Sequence, residues 1–280
     1  MDGRIAKSRK FTFIILIILL IAFIPFFGMH RRTEANAAST STSASIVMNA
    51  DTMEVLKGNN YSVRLPMAST TKIMTALLVC ENCHPEEIVV IPKKAVGVEG
   101  SSIYLKEGEK LTVKDLLYGL MLRSGNDSAV ALALHLGGTE ENFVKMMNIR
   151  AEMLGLNDTH YANPHGLHDK NHYTSCYDLC KLGCIAMKNP LFKEIVSTKK
   201  ITIGEKESQR SIANKNKILF QYEGGNGIKT GYTRAAGRCL VSAAERKGIQ
   251  LVAAVLNVPD MFGVCSSLMD YGFTITENRA

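Results

Sequence analysis

Three short patterns along this chain supply the residue types that nucleophilic catalysis needs. They are Ser69–Lys72 (S-x-x-K), Ser124–Asn126 (S-x-N) and Lys229–Gly231 (K-T-G). A serine hydroxyl attacks a carbonyl well only when a nearby base takes its proton. Residues three apart lie on one face of a helix, so Lys72 can reach the Ser69 oxygen. The first pattern therefore predicts a serine nucleophile with a lysine as its base.

This lysine can act as a base only while its amine is neutral. Burial and a second cation both lower a lysine pKa, and Lys229 is the candidate for that cation. We predict that Ser69 opens an apolar helix running to about Cys80, whose N-terminus favours developing negative charge. The Ser69 backbone N–H then forms half of an oxyanion hole, and the strand edge Lys229–Tyr232 supplies the other half. Gly231 lets a substrate approach that strand closely.

Each pattern alone is weak evidence. A second S-x-x-K occurs at Ser197–Lys200, where it opens no apolar helix and lies shortly before the K-T-G. Taken alone, Ser69 is equally typical of a serine at a helix N-terminus, and Lys72 is typical of a solvent-exposed surface lysine. The order, spacing and structural context of the three patterns together favour catalysis.

Strands are predicted at both ends of the chain and helices between them, from the spacing of apolar residues. The strands are Ser45–Asn49, Met53–Lys57, Lys199–Ile203, Gly227–Gly231, Cys239–Ala244 and Leu251–Asn257. The helices after the first are Thr112–Arg123, Asp127–Leu136, Thr139–Leu154, Ser175–Met187 and Pro259–Asp270. We expect an α/β (α+β) fold: an antiparallel sheet from both chain ends flanked by helices, with an all-helical lobe over about 80–190. The active site should lie in the cleft between them.

Charge and composition narrow the class of protein. The chain has 280 residues, of which 46% are hydrophobic and 21% charged, a globular composition. Its net charge is +7, but residues 1–37 hold six basic and two acidic residues and so carry four of those charges. The small remainder argues against nucleic-acid binding. The seven cysteines are an odd number, so at least one thiol lacks a partner within the chain.

The N-terminus indicates export from the cytoplasm. Residues 11–29 form an uncharged apolar run preceded by a basic stretch. The run is either a signal peptide cleaved after Ala37, where Ala35–Ala37 forms an A-x-A site, or an uncleaved membrane anchor. We expect domain boundaries of 1–37 for this segment, 38–44 for a polar linker and 45–280 for the enzyme. The protein would work at the outer face of the membrane or in the cell wall, or be secreted if cleaved.

Longer stretches around these motifs resemble the low-molecular-weight penicillin-binding proteins that act as D-alanyl-D-alanine carboxypeptidases. The stretches are Pro66–Ala76, Leu105–Glu109, Ser124–Ala129, Asn163–Leu167 and Asn226–Thr233, and the resemblance spans about 44–275. It implies a β-lactamase/transpeptidase-like fold and a serine enzyme without a cofactor or metal. Such enzymes remove the terminal D-alanine from peptidoglycan stem peptides through an acyl-enzyme. β-Lactams inhibit them covalently by mimicking the D-Ala-D-Ala end.

The resemblance also assigns roles to individual residues. Ser69 is the nucleophile, Lys72 its base, and Ser124 relays a proton to the leaving D-alanine. Asn126 hydrogen-bonds the substrate amide and orients the lysine. The N–H groups of Ser69 and Tyr232 form the oxyanion hole.

Carboxylate recognition is where the chain departs from the family pattern. The resemblance gives this role to Lys229 and Thr230, with Gly231 beside them. Many relatives also carry an arginine near the start of the last helix, but Met261–Cys265 has none. We therefore expect a larger share for the K-T-G residues or for Arg234. Relatives often continue into a C-terminal β-domain and an amphipathic helix, and we expect neither here, so that membrane contact would involve residues 11–29 alone.

Two alternative functions use the same motifs. A class A-like serine β-lactamase would have S-D-N where this chain has Gly125, and a Glu-x-x-x-Asn that we do not find. A β-lactam sensor or wall-binding protein would acylate without turnover, yet all the catalytic positions are present. We prefer the carboxypeptidase.

Two further motifs indicate cofactor chemistry that we set aside. Cys80–His84 matches the C-x-x-C-H pattern of haem attachment. It falls at the end of the predicted Ser69 helix, where relatives have an ordinary helix-to-turn transition. His165, His168 and His172 with Asp169 have metal-like spacing. Part of that cluster lies in the Asn163–Leu167 loop already explained by the resemblance, and a serine mechanism needs no metal.

Overall fold

Residues 42–205 and 209–279 are described by a computed structural model, whose centre is a five-stranded sheet. The strands are β1 (Ala44–Asn49), β2 (Val55–Asn59), β7 (Gly225–Thr233), β8 (Gly237–Arg246) and β9 (Ile249–Leu256). They lie in the order β2-β1-β9-β8-β7, and every neighbouring pair is antiparallel. The two ends of the chain therefore build one sheet, as the sequence predicts.

Both faces of this sheet are buried, which explains the continuous apolar character of β9. Leu251, Ala253 and Val255 point into a cluster that packs against the last helix, α8 (Met261–Glu277). Val252 and Ala254 point to the opposite face and join the larger core. Successive strand side chains alternate between faces, so a strand covered on both sides shows no polar alternation.

Helices fill the middle of the chain, as predicted. They are α1 (Lys72–Asn82), α2 (Val113–Leu122), α3 (Asn126–Gly137), α4 (Glu140–Met153), α5 (Cys176–Ala186), α6 (Pro190–Ser197) and the single turn α7 (Ile218–Gln221). The Thr112 side chain accepts a hydrogen bond from the Asp115 N–H, and the Asp115 carboxylate accepts one from the Thr112 N–H. This capping box starts α2 where the sequence indicates. Cys176, Cys180 and Cys184 are all buried in α5, where they pack as small apolar residues.

The predicted all-helical lobe is not entirely helical. Two three-residue strands, β3 (Ile88–Val90) and β4 (Lys110–Thr112), pair within it. A second small sheet pairs β5 (Lys200–Ile203) with β6 (Arg210–Ala213). Of these strands only β5 was predicted, because a run of three or four residues carries too little alternation to separate it from loop. The helices α6 and α7 were not predicted either, because they are too short to show a clear helical period.

The prediction that Ser69 opens an α-helix is wrong. Ala68–Thr71 forms a 3-10 turn, and α1 begins only at Lys72. The hydroxyls of Thr70 and Thr71 donate to the carbonyls of Met67 and Ala68 at 2.6 and 2.7 Å. These side-chain bonds compete with regular helical bonding at the first turn. Apolar spacing alone does not reveal that competition.

The predictions for the N-terminus lie largely outside the described residues. These are the export segment 11–29, the cleavage site after Ala37 and most of the linker 38–44. Within the residues that are described, no helix has the length and apolar character needed to cross a membrane.

Candidate active site

The Ser69 turn lies directly against the edge strand β7. A Cβ atom added to Gly231 would lie 3.1 Å from the Ser69 backbone nitrogen and 3.2 Å from both Ala68 Cβ and Thr70 N. A side chain at this position would meet the backbone of the Ser69 turn and require the strand or the turn to shift slightly. Gly231 therefore suits the close packing of β7 on the turn, besides any approach of substrate.

A buried histidine holds the turn from the other side. The N–H of Ala162 donates to His172 Nδ1 at 2.9 Å, so the ring proton is on Nε2. Nε2 lies 2.6 Å from Thr71 Oγ1, which donates its own proton to the Ala68 carbonyl. Burial is the largest cause that lowers the His172 pKa, to about 3, so the ring stays neutral near pH 7. The sequence gives no sign of this positioning role.

The loop Asn163–Leu167 approaches the Ser69 turn even more closely. Gly166 has a φ of +92°, and a Cβ there would lie 2.0 Å from the Ala68 carbonyl oxygen. Only glycine fits both the backbone conformation and the space. The preceding residue, His165, turns its backbone carbonyl into the active site as a result.

Three oxygen atoms surround the amine of Lys72. Nζ lies 3.2 Å from Ser69 Oγ, 2.7 Å from Asn126 Oδ1 and 2.5 Å from the His165 carbonyl oxygen. The two carbonyl-type oxygens can only accept hydrogen bonds. A neutral amine donates to both of them and turns its lone pair to the serine hydroxyl. An ammonium would satisfy the same contacts, so electrostatics decides the charge state.

The electrostatics favour the neutral amine. Lys72 is fully buried, and its pKa lies well below the ordinary value, first because of burial and second because of the Lys229 charge. Lys215 acts in the same direction, and Asp127 opposes it. The predicted contribution of Lys229 is thus supported, although burial is the larger cause. Burial, followed by Lys215, also lowers the pKa of Lys229, to about 7.

Ser124 and Asn126 lie at the junction between α2 and α3. Ser124 has a φ of +64°, in the left-handed region that breaks the helix and turns this residue towards the cleft. Asn126 starts α3 and is nearly buried; its amide nitrogen donates to the Glu99 carbonyl while its oxygen contacts Lys72. The buried carboxylate of Asp127 accepts from the backbone N–H groups of Ile103 and Leu105. Hydrogen bonds of both Asn126 and Asp127 therefore hold the junction in place.

A cleft of about 330 Å³ opens over these groups. Of the predicted site residues, Ser69, Ser124, Thr230, Gly231 and Tyr232 line it. Three others lie beneath its floor: Lys72 and Lys229 are 0% and 2% exposed, and Asn126 is 4% exposed.

The buried positions change what two of these residues can do. Lys229 donates to its neighbour's carbonyl, Thr230 O, at 2.9 Å. Both polar groups of the Asn126 amide are engaged within the protein. In this geometry Asn126 contacts Lys72 and the charge of Lys229 lowers the Lys72 pKa. The contacts of both side chains with substrate stay a prediction.

The cleft also contains residues that the sequence did not single out. They are Ser101, Lys215, Arg238, Met261 and Phe262. Arg238 on β8 pairs across the hairpin with Tyr232 on β7 and is exposed. Arg234, the predicted candidate, lies in the connecting turn and does not line the cleft. Counting strand register back from the turn could have selected Arg238.

The second S-x-x-K and the histidine cluster do not contribute side chains to the lining of this cleft. Ser197 ends α6 and donates to the Glu194 carbonyl, so the second S-x-x-K opens no helix. The two ring nitrogens of His172 face Ala162 and Thr71, and His165 Nδ1 accepts from the Leu167 N–H. These contacts engage both ring nitrogens of His172 and one ring nitrogen of His165.

The amino-acid sequence matches a known protein family. The sequence profile described as D-alanyl-D-alanine carboxypeptidase (peptidase S11) matches residues 31–260. D-alanyl-D-alanine carboxypeptidase DacF of Bacillus subtilis (strain 168) is 32% identical over 282 residues, covering 97% of this chain and 72% of that protein. The D-alanyl-D-alanine carboxypeptidase of Streptomyces sp. (strain K15) is 34% identical over 267 residues, covering 87% of this chain and 92% of that protein.

Solved structures agree in fold. A point mutant of Streptomyces K15 DD-transpeptidase aligns with a TM-score of 0.78 at 34% identity, covering 82% of this chain and 97% of that one. D-alanyl-D-alanine carboxypeptidase from Mycobacterium tuberculosis aligns with a TM-score of 0.79 at 33% identity, covering 82% and 90%. The predicted β-lactamase/transpeptidase-like fold is confirmed.

The electrostatic coupling of the two buried lysines predicts the effect of removing one. In Lys229→Met, the pKa of Lys72 should rise, because a nearby like charge is lost. It should remain below the ordinary lysine value, since burial is the larger cause. Because Lys229 itself is charged mainly below pH 7, its influence is greatest there. NMR titration of ¹³Cε-labelled lysines measures the shift.

The matched control is Lys217→Gln, which removes an exposed charge that does not contribute to the Lys72 pKa. It should leave the titration unchanged. An unaltered Lys72 pKa in Lys229→Met would contradict the coupling.

Proposed function

The chain belongs to the D-alanyl-D-alanine carboxypeptidase family, and we propose how its residues carry out that family's reaction. It is a serine-type D-Ala-D-Ala carboxypeptidase, a hydrolase that releases the terminal D-alanine. The observation that carries the residue assignment is the 3.2 Å separation of Lys72 Nζ from Ser69 Oγ in a buried site. Ser69 is the nucleophile, and neutral Lys72 is its base.

Acylation is the first half of the proposed reaction. Lys72 takes the Ser69 hydroxyl proton as the oxygen attacks the carbonyl carbon of the penultimate D-alanine. The peptide C–N bond then breaks, and the leaving nitrogen receives a proton through Ser124. Ser124 lines the cleft beside the nucleophile, which supports this relay. D-Alanine leaves and an ester on Ser69 remains.

Deacylation repeats the proton transfers with water as the nucleophile. Lys72 accepts a proton from the water as its oxygen attacks the ester carbonyl, and the Ser69 oxygen recovers a proton as the ester breaks. Asn126 and the His165 carbonyl act as positioning groups, because both contact Nζ. Lys229 acts electrostatically from beneath the floor of the cleft.

Negative charge on the reacting carbonyl oxygen needs donors at fixed positions. We assign these to the backbone N–H groups of Ser69 and Tyr232. The close packing of β7 on the Ser69 turn at Gly231 supports the assignment, since it holds both backbone segments at one side of the cleft. Backbone donors of this kind need no reorganisation as charge develops.

Recognition of the terminal carboxylate is assigned to Thr230 and Arg238. Both line the cleft, and Arg238 is an exposed guanidinium one strand away from the K-T-G. A guanidinium matches a carboxylate with two parallel hydrogen bonds. Arg238 would thus fulfil the role for which the start of α8 offers no arginine.

β-Lactams are proposed to acylate the same serine and to remain bound for long periods. Their strained amide would occupy the position of the D-Ala-D-Ala bond, and their carboxylate the site of Thr230 and Arg238. Natural substrates would be the stem peptides of peptidoglycan, consistent with the family's activity.

The proposed location is the outer side of the cytoplasmic membrane. The basic stretch followed by the uncharged run 11–29 supports export with the N-terminus inside. Cleavage after Ala37 would release the enzyme, and retention of the run would anchor it. Peptidoglycan, the proposed substrate, lies on that side of the membrane.

The nucleophile assignment predicts a sharp difference between the two S-x-x-K patterns. Ser69→Ala should lose D-alanine release from a D-Ala-D-Ala peptide by at least about a thousandfold, because no acyl-enzyme can form. Ser197→Ala should keep wild-type activity, since that hydroxyl donates to the Glu194 carbonyl in the last turn of α6 and does not line the cleft. Peptide hydrolysis and intact-protein mass spectrometry after penicillin treatment measure both effects.

The wild type and Ser197→Ala should each carry one stable penicilloyl group, and Ser69→Ala none. An adduct that persists on Ser69→Ala, or rapid turnover of penicillin by the wild type, would overturn the assignment.

The carboxylate assignment predicts a specificity effect at Arg238. In Arg238→Gln, kcat/KM for a D-Ala-D-Ala peptide should fall about tenfold, because a charge-assisted contact is lost. The change should lie mainly in KM. Arg234→Gln, in the adjoining turn, serves as the control and should behave as wild type.

A peptide ending in a C-terminal amide separates recognition from general damage. It lacks the carboxylate, so the wild type and Arg238→Gln should cleave it equally slowly. Equal losses on both peptides would argue for a disturbed site instead of a lost carboxylate contact.

A further inference from the structure

A group of metal-ligating side chains lies at the far end of the helical region from the nucleophile. Within the described part of the chain, Cys83 Sγ, a Glu87 carboxylate oxygen and a His135 ring nitrogen all lie within 4.8 Å of one another. His135 Nε2 is 3.1 Å from Glu87 Oε2. None of the three takes part in the proposed reaction. We propose that Cys83, Glu87 and His135 bind one Zn²⁺ ion that ties the C-terminal ends of α1 and α3 together.

The ligand chemistry selects the metal. A thiolate, an imidazole and a carboxylate suit zinc, whereas magnesium and calcium prefer oxygen ligands alone. Zinc lies about 2.0–2.3 Å from such atoms, so its ligands are separated by roughly 3.3–3.8 Å. The three ligand atoms lie within 4.8 Å of one another, so side-chain movements of about 1 Å would reach that spacing. A water molecule completes the tetrahedron, and the Cys83 thiol releases its proton to solvent on binding.

Two helix ends add an independent attraction for a cation. Cys83 caps the C-terminus of α1, and His135 lies in the last turn of α3. The carbonyl groups at a helix C-terminus carry partial negative charge, which favours cations nearby. Here two such ends meet at one cluster that also contains a carboxylate. The negative potential from the two helix ends and the Glu87 carboxylate therefore favours a divalent cation at this cluster.

The backbone that carries the ligands is already held in place. The His84 N–H donates to Glu87 Oε1 at 2.6 Å, leaving Oε2 for the side of His135. The Glu87 and Pro85 carbonyls accept from the N–H groups of Val113 and Lys114 at the start of α2, each at 2.9 Å. Such outer contacts orient metal ligands and reduce the entropy lost on binding. The segment is therefore prepared for a metal.

The site would brace the two helices whose other ends form the active site. Helix α1 starts at Lys72 and α3 starts at Asn126, the residues whose side chains meet at 2.7 Å. The metal lies at the opposite ends, roughly 15 Å away at 1.5 Å per residue. Zinc there would stabilise the packing of the helices without entering the chemistry.

Metal titration of the full-length chain tests the ligand set directly. After chelation and desalting, the protein should bind one equivalent of Zn²⁺. Co²⁺ in its place should give the near-ultraviolet charge-transfer band of a cobalt–thiolate bond. Cys83→Ser should lose this band, and Cys83→Ser and His135→Gln should each weaken binding about tenfold or more.

Cys80 and His84 serve as controls, because they belong to the C-x-x-C-H motif but not to the cluster of Cys83, Glu87 and His135. His84→Gln and Cys80→Ser should retain both the band and the affinity. Absence of binding at micromolar Zn²⁺, or a band that survives in Cys83→Ser and disappears in Cys80→Ser, would overturn the proposal.

Stability and activity measurements separate this site from the catalytic one. Zn²⁺ should raise the Tm of the wild type by several degrees, and not that of Cys83→Ser, since only the folded state presents the ligands. Chelation should leave kcat for the D-Ala-D-Ala peptide unchanged. Ser69→Ala should bind the metal as the wild type does. The zinc site and the serine mechanism can therefore fail independently of each other. Loss of activity on chelation that Zn²⁺ restores would contradict the bracing role.

Discussion

A lysine amine enclosed within the protein, 3.2 Å from Ser69 Oγ, is the contact around which this active site is organised. A primary amine exposed to water is protonated near neutral pH and cannot accept the serine proton. Enclosure raises the cost of the ammonium, and the charge of Lys229 adds to that cost. The two carbonyl-type oxygens of Asn126 and His165 bind the amine hydrogens and orient the lone pair. In the proposed mechanism, activation of Ser69 thus depends on excluding water and on placing two acceptors and the serine hydroxyl around one nitrogen.

Much of the surrounding fold serves that enclosure. The Ser69 turn is held between β7, through the close approach at Gly231, and the loop that brings Gly166 against Ala68. His172 fixes the turn through Thr71 while remaining neutral. These contacts come from sequence positions about 100 to 160 residues after the nucleophile. They explain why a fold with strands from both chain ends suits the proposed chemistry. Ser69 and Lys72 are close in sequence, but the groups that hold them come from distant elements and meet at one cleft.

The sequence predicts the elements and the reactive residues better than their supports. Periodicity and the Thr112 capping box locate the long helices and sheet strands, and the three motifs locate the groups around Ser69. The 3-10 turn was missed because threonine hydroxyl bonds override helical spacing locally. The burial of Lys229 and the role of His172 depend on tertiary packing that no local pattern encodes. Arg238 was missed because it lies outside the three motifs, although its hairpin register opposite Tyr232 places it at the cleft.

The central claim is that Lys72 is a neutral amine in the resting enzyme, and neutron diffraction measures this directly. A deuterated crystal of the wild-type protein near pH 7.5 should show two deuterons on Lys72 Nζ, directed to Asn126 Oδ1 and the His165 carbonyl. The deuteron on Ser69 Oγ should point to Nζ. Three deuterons on Nζ, with the serine deuteron directed elsewhere, would contradict the account and require another base.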